Sequence, residues 1–147
     1  MFRSFMQDAL AEARDAARRG EVPVGAVVTR GAQAVARAGN RMREMRDPTA
    51  HAEMLAIRAA CAVLGTERLT GCALWVTLEP CAMCAAAIAH ARLDRLHFGA
   101  SDPKSGGVLH GARVFAHRQA HHVPEMQDGL EAEACAALLR DFFAARR

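Results

Sequence analysis

Pro80-Cys81-Ala82-Met83-Cys84 places two thiols three residues apart. On the first turn of a helix, positions i and i+3 share a face, with Cβ atoms about 5–6 Å apart. Peptide dipoles put partial positive charge at a helix N-terminus, which favours thiolate over thiol. Two thiolates so close suit a tetrahedral metal such as zinc. Pro80 has no N–H to leave unsatisfied and suits the start of that helix. Upstream, His51-Ala52-Glu53 heads a second expected helix and offers His51 as a third ligand. Three protein ligands leave a fourth position for water, the catalytic rather than the structural arrangement. Glu53 is a poor fourth ligand and a good base beside bound water.

Each piece alone has a plainer reading. A lone Cys-x-x-Cys in a cytosolic protein is also the pattern of a redox pair, or half of a structural zinc knuckle. A histidine at a helix start is also a solvated cap-region residue. Together, with Glu53 and Pro80 in place and no second Cys-x-x-Cys to close a four-cysteine site, the pieces point to catalytic zinc.

Outward from this centre the chain alternates helices and strands. Phe2, Phe5, Met6, Ala9, Leu10, Ala13 and Ala17 recur at helical spacing, and Arg18-Arg19-Gly20 ends that helix. Residues 25–29 and 34–38 read as two strands around a Gly31-Ala32 turn, antiparallel because the connection is too short for a crossover. Residues 39–50 read as a loop holding Arg41, Arg43 and Arg46. Asp47-Pro48 is expected as the cap and first residue of the helix that follows, from His51 to Leu64. Cys72 to Leu78 is nearly continuously apolar, as in the middle of a sheet. The cysteine helix, about 81–92, is packed with alanines that permit close approach of a neighbour, and 95–99 is the next strand. Strand, helix, strand makes a right-handed βαβ unit. Residues 100–120 are irregular and Gly-rich, and 119–123 is expected as a short fifth strand. There His121 and His122 would face opposite ways, so they are not expected to hold a metal jointly. Asp128 is expected to cap a last helix with Leu130, Ala134, Leu138 and Phe142 on one face, ended by Arg146-Arg147.

The 147 residues suggest one domain, 1–147, long enough to bury roughly 68–70% of the unfolded surface. The start does not read as a signal peptide, and no apolar run reaches the 18 residues or so that a membrane helix needs. Five cysteines, an odd set, argue against a secreted disulfide framework and for a reduced, cytoplasmic location. The net charge of +3 is mildly basic. It comes from 18 arginines and one lysine, and Arg favours bidentate phosphate contact. High-GC coding bias gives the same imbalance without any ligand.

Glu21-Val22-Pro23-Val24-Gly25-Ala26, Gly39-Asn40-Arg41, Asp47 to Glu53, Thr77 to Cys84, Phe98-Gly99-Ala100, Asp102-x-Lys104-x-Gly106 and Asp141-Phe142-Phe143 closely resemble the bacterial tRNA-specific adenosine deaminases. The zinc motifs alone specify only the wider cytidine-deaminase-like zinc deaminase superfamily. The flanking segments and the Phe-Phe/Arg-Arg tail carry the narrower likeness, over nearly the whole chain. Ala144 and Ala145 stand where relatives often have larger or basic residues, and residues 107–120 also depart.

The resemblance implies an α/β fold, a three-layer α/β/α cytidine-deaminase-like arrangement with a mixed five-stranded sheet. It also implies a homodimer and one Zn²⁺ per subunit, held by His51, Cys81 and Cys84. The implied reaction is hydrolytic deamination to inosine of the wobble adenosine in the ACG anticodon of arginine tRNA. Zinc-activated hydroxide would attack C6 of the flipped base, with Glu53 as catalytic acid and base. Ala52, Leu78 and Pro80 would border the base. Asn40, Asp102, Lys104, Phe143 and Arg146 would contact the anticodon stem-loop. Flipping costs least for an unpaired loop base. A deaminase of a free base or nucleoside (guanine, cytosine or cytidine) shares the zinc core, but has no use for the Arg41/Arg43/Arg46 loop or the basic aromatic tail. A non-catalytic zinc or RNA-binding protein has no use for Glu53.

Overall fold

The computed structural model describes residues 3–146. Phe2 of the expected first-helix stripe and Arg147 of the expected helix end lie outside the described residues. The elements run α1 (Met6–Arg18), β1 (Gly25–Arg30), β2 (Gln33–Gly39), α2 (Met42–Met45), α3 (Ala52–Leu64), β3 (Cys72–Leu78), α4 (Ala82–Ala91), β4 (Arg95–Ala100), a 3-10 turn (Val114–Ala116), β5 (Glu125–Gln127) and α5 (Ala132–Ala144). The sheet order is β2-β1-β3-β4-β5. β1 is antiparallel to both β2 and β3, whereas β3/β4 and β4/β5 are parallel.

Side-chain alternation along the strands divides the core in two. Cys72, Leu74 and Val76 of β3 join Ala52, Ala56 and Ala60 of α3 and Ala85 and Ile88 of α4 on one face. Trp75, with Val27 of β1, joins Met6, Ala9 and Leu10 of α1 and Cys135 of α5 on the other. The result is the expected three-layer α/β/α arrangement around a mixed five-stranded sheet, with β3 central. On the α1/α5 face Trp75 donates to Thr29 Oγ1 at 3.0 Å and stacks on His97, ring centroids 3.8 Å apart. His97 Nδ1 in turn meets Gln127 Oε1 at 2.9 Å.

Several local expectations differ from the structure. The first helix begins at Met6, where Ser4 Oγ accepts the Met6 N–H. The loop 39–50 contains the short helix α2. Its Arg43 and Glu44 N–H groups are taken by the carboxylate of the buried Glu21, a distant cap that local sequence does not announce. Asp47 does not cap α3. It closes its own turn, accepting the Thr49 N–H and hydroxyl, and α3 starts four residues beyond Pro48 with His51 in the cap position. The fifth strand lies at Glu125–Gln127, not at 119–123. All three of its residues are exposed, so no apolar pattern marks it. Instead its backbone pairs with β4, while His122 Nε2 donates to Leu93 O. Asp128 does not cap α5, whose cap position is Glu131 in a left-handed conformation. Pro80 stands one residue ahead of the cap Cys81 rather than inside α4.

Candidate metal and active site

The centre forms at the carboxyl end of β3, where the first turns of α3 and α4 meet. Cys81 is the cap residue of α4 and Cys84 the third residue of its first turn. His51 is the cap residue of α3. Both cap residues have extended backbone, which turns their side chains across the helix starts. No acidic side chain stands in the first turn of α4 to compete for its N-terminal dipole.

His51 Nδ1 lies 3.7 Å from Cys81 Sγ and 3.6 Å from Cys84 Sγ. The three donor atoms lie within 4.8 Å of one another, the one such group among the described residues. A tetrahedral ion with Zn–S about 2.3 Å and Zn–N about 2.1 Å requires an S···N edge of about 3.6 Å. The donors therefore stand at ligand spacing, and their chemistry fits zinc.

Without an ion the three donors share protons. The Cys81 thiol is held down at about 4, first by a hydrogen bond from Cys84, then by His51, against burial. Cys84 is pushed well up by the hydrogen bond to Cys81 and by burial, since two adjacent thiolates repel. His51 is raised, first by its bond to Cys81, with burial opposing and the charge of Glu53 adding. A dication replaces the shared protons and lets all three donors ligate deprotonated.

Glu53 is the second residue of α3, 4% exposed. Burial pushes its carboxyl up to about 7, while its own amide, His51 and the Cys84 thiol pull the other way. It lies outside the ligand group, as expected of a base rather than a ligand. A carboxyl that titrates near neutrality suits proton transfer in both directions.

The other expected site residues fall into two places. Asn40 is buried, and its Oδ1 accepts the Ala52 N–H at 2.7 Å, satisfying the first amide of α3 beside His51. Ala52 and Pro80 are buried and Leu78 half-buried around the ligand turns. Half-buried Asp102 and exposed Lys104 begin a segment docked on the α4 turn, where Gly107 N–H donates to Pro80 O at 2.8 Å. Phe143 and Arg146 instead make their contacts at the far end of α5. The rings of Phe142 and Phe143 meet edge-on at 5.3 Å, and the Arg146 guanidinium lies 3.5 Å over Phe142. Arg41 and Arg58 face acids, Glu44 at 2.8 Å and Asp47 at 4.0 Å.

Sequence reasoning passed over Glu79. Its side chain is fully buried and faces His110 Nδ1 at 2.8 Å. Burial raises its pKa, but hydrogen bonds from Asp102, His110 and Val108 outweigh this and hold it below the usual carboxylate range. The available signal was an acid wedged between an apolar strand and the proline of the cysteine motif.

The MafB19-like deaminase family model matches residues 2–147. A tRNA-specific adenosine deaminase of Agrobacterium fabrum is 53% identical over 143 residues, covering 97% of this chain and 94% of that protein. A solved structure from studies of A-to-I editing by tRNA:A34 deaminases at the wobble position superposes with a TM-score of 0.91 at 53% identity, over 92% of this chain and 98% of that one. A guanine deaminase from Nitrosomonas europaea superposes at 0.82 with 26% identity, over 95% and 82%.

Proposed function

The chain belongs to the MafB19-like deaminase family, and we propose that it is a zinc-dependent tRNA adenosine deaminase that converts the wobble adenosine, A34, to inosine. The observation that carries this reading is the His51/Cys81/Cys84 donor set at tetrahedral spacing with the buried Glu53 beside it. It occurs in a chain whose relatives are named for this reaction. The proposed substrate is the ACG anticodon of arginine tRNA, as the sequence resemblance implies.

His51, Cys81 and Cys84 would hold the zinc, whose chemistry there would be to make a water acidic enough to act as nucleophile. Glu53 accepts the proton of the attacking water. It passes that proton to the ring nitrogen beside C6, then takes the proton of the new C6 hydroxyl and delivers it to the amine, which departs as ammonia and leaves the C6 carbonyl of inosine. The carboxyl near 7 fits both halves of that transfer. Ala52, Leu78 and Pro80 wall the base and keep bulk water from it. Asn40 holds the start of α3, and so His51 and Glu53, in place. Asp102 and Lys104, with Phe143 and Arg146, grip the anticodon loop, whose unpaired base costs only a few kcal/mol to flip. The 2′-hydroxyl separates RNA from DNA. We assign one Zn²⁺ per subunit of a homodimer working in the cytoplasm. No helix among the described residues is long and apolar enough to cross a membrane.

The test incubates the zinc-loaded protein with an ACG anticodon stem-loop and, separately, with free adenosine, guanine and cytidine. Glu53→Ala serves as the control. Inosine in the RNA alone is expected. Turnover of a free base or nucleoside with the RNA untouched would move the protein to the small-molecule branch, which the fold likeness to a guanine deaminase makes the relevant alternative.

A further inference from the structure

We propose that Glu79 is a positioning residue for substrate binding: its buried carboxylate fixes residues 102–110, and with them Asp102 and Lys104, against the turn that carries Cys81. This rests on the tRNA reading above, in which Asp102 and Lys104 meet the anticodon loop.

Five donors converge on this one carboxylate. Oε1 accepts the Asp102 N–H at 3.0 Å and meets His110 Nδ1 at 2.8 Å. Oε2 accepts the N–H groups of Val108 at 3.2 Å, Leu109 at 2.9 Å and His110 at 3.0 Å. A carboxylate offers about four lone-pair sites, so its capacity is filled. Four of the five donors are backbone amides of a segment with no helix or strand of its own. Turned inward, those amides must find an acceptor, and Glu79 is the one they find.

The grip closes at both ends of the segment. Between them Asp102 makes a turn of its own, its Oδ1 accepting the N–H groups of Lys104 at 3.2 Å and Ser105 at 3.0 Å. The Asp102 carbonyl takes the Gly106 N–H at 2.8 Å. Lys104 thus projects from a turn whose two flanks share one carboxylate. At Gly107 the backbone lies so close to α4 that a Cβ would stand 2.5 Å from the Ala82 nitrogen. The segment therefore rests on the first turn of the cysteine helix. Glu79 itself lies in the β3–α4 turn, its N–H bonded to Ala100 O at 2.8 Å, so it joins the metal turn to the substrate segment without touching the reacting atoms.

The test is Glu79→Gln. An amide NH₂ replaces one acceptor oxygen and faces either the Asp102 N–H and the His110 ring or the three backbone N–H groups of 108–110, which then lack a partner. The KM for the anticodon stem-loop is expected to rise about tenfold or more, with kcat within about threefold and zinc content unchanged. The amides of 102 and 108–110 should exchange faster with deuterium. The Asp102→Ala/Lys104→Ala pair should add little to KM in the Glu79→Gln background. Glu79→Asp, which keeps the acid, should restore part of the binding; it also serves where the Gln variant folds poorly. Unchanged KM, unchanged exchange at 102 and 108–110, or loss of zinc with collapse of kcat would each overturn the proposal. If the unmodified protein makes no inosine in RNA, it is the function reading that fails. Exchange at those same amides still decides whether Glu79 holds the segment.

Discussion

Glu53 carries the proton transfer in the proposed reaction, and its burial gives it two separable signatures. Glu53→Gln should keep zinc and lose about 10²–10⁴-fold in deamination rate, read by inosine formation beside metal analysis. Near-normal turnover would refute the role. Its carboxyl, about 7 in the folded chain, sits above the unfolded value of about 4.3. A raised carboxyl binds its proton better folded than unfolded. The stability of the metal-free protein therefore falls as pH rises from about 4.3 through 7. Metal-free Glu53→Gln should be more stable than the parent at pH 8, by roughly 4 kcal/mol at most, and equal to it at about pH 4. Denaturant titrations at the two pH values check this. For Cys81, change to Ser should empty the site, because the hydroxyl does not supply the thiolate held near 4. Full zinc occupancy of that variant by metal analysis would remove Cys81 from the ligand set.

At the scale of elements, α1 and α3 were legible because apolar spacing and glycine stops mark them locally, and α4 because of its cysteine pair and its alanines. Gly20 and Gly65 follow the ends of α1 and α3 as read. What escaped were elements whose stabilising partner lies far along the chain. The helix α2 depends on Glu21, and the start of α3 on Asn40 rather than on the nearby Asp47. The 102–110 segment depends on Glu79, 23 to 31 positions earlier. Glu79 also has an acid signature. Its folded pKa is depressed, so its stabilisation is present above the unfolded carboxylate value and is lost as pH falls through the folded one. Against Glu79→Gln, the parent should be more stable by about 2–3 kcal/mol at pH 7. That gap should begin to narrow below about pH 4. Parallel denaturation curves at pH 7 and pH 3.5 measure it.

For the molecule as a whole, the succession of elements and the direction of two strand pairs were readable, while the three layers came from the resemblance. A two-residue turn forces an antiparallel hairpin, and a helix between two apolar strands forces a parallel pair. Both occur, as β1/β2 and β3/β4. The exposed β5, which carries no apolar pattern, was placed too early. No composition argument gives the number of copies. The homodimer is what the sequence resemblance implies. Sedimentation at micromolar concentration should show twice the chain mass of 15.8 kDa. A species at the chain mass itself would refute the homodimer.

The chain has one tryptophan and no tyrosine, so its near-ultraviolet emission arises from a single indole. That indole is sandwiched inside the α1/α5 side of the sheet, 3% exposed, with an imidazole flat against it. Burial disfavours the charged imidazolium and lowers the pKa of His97, with the Gln127 contact opposing. The protein thus carries its own optical probe, reporting on the layer remote from His51, Cys81 and Cys84. Red-shifted light marks opening of α1 or α5, and quenching on acidification marks a charge arriving on His97, both without any attached dye.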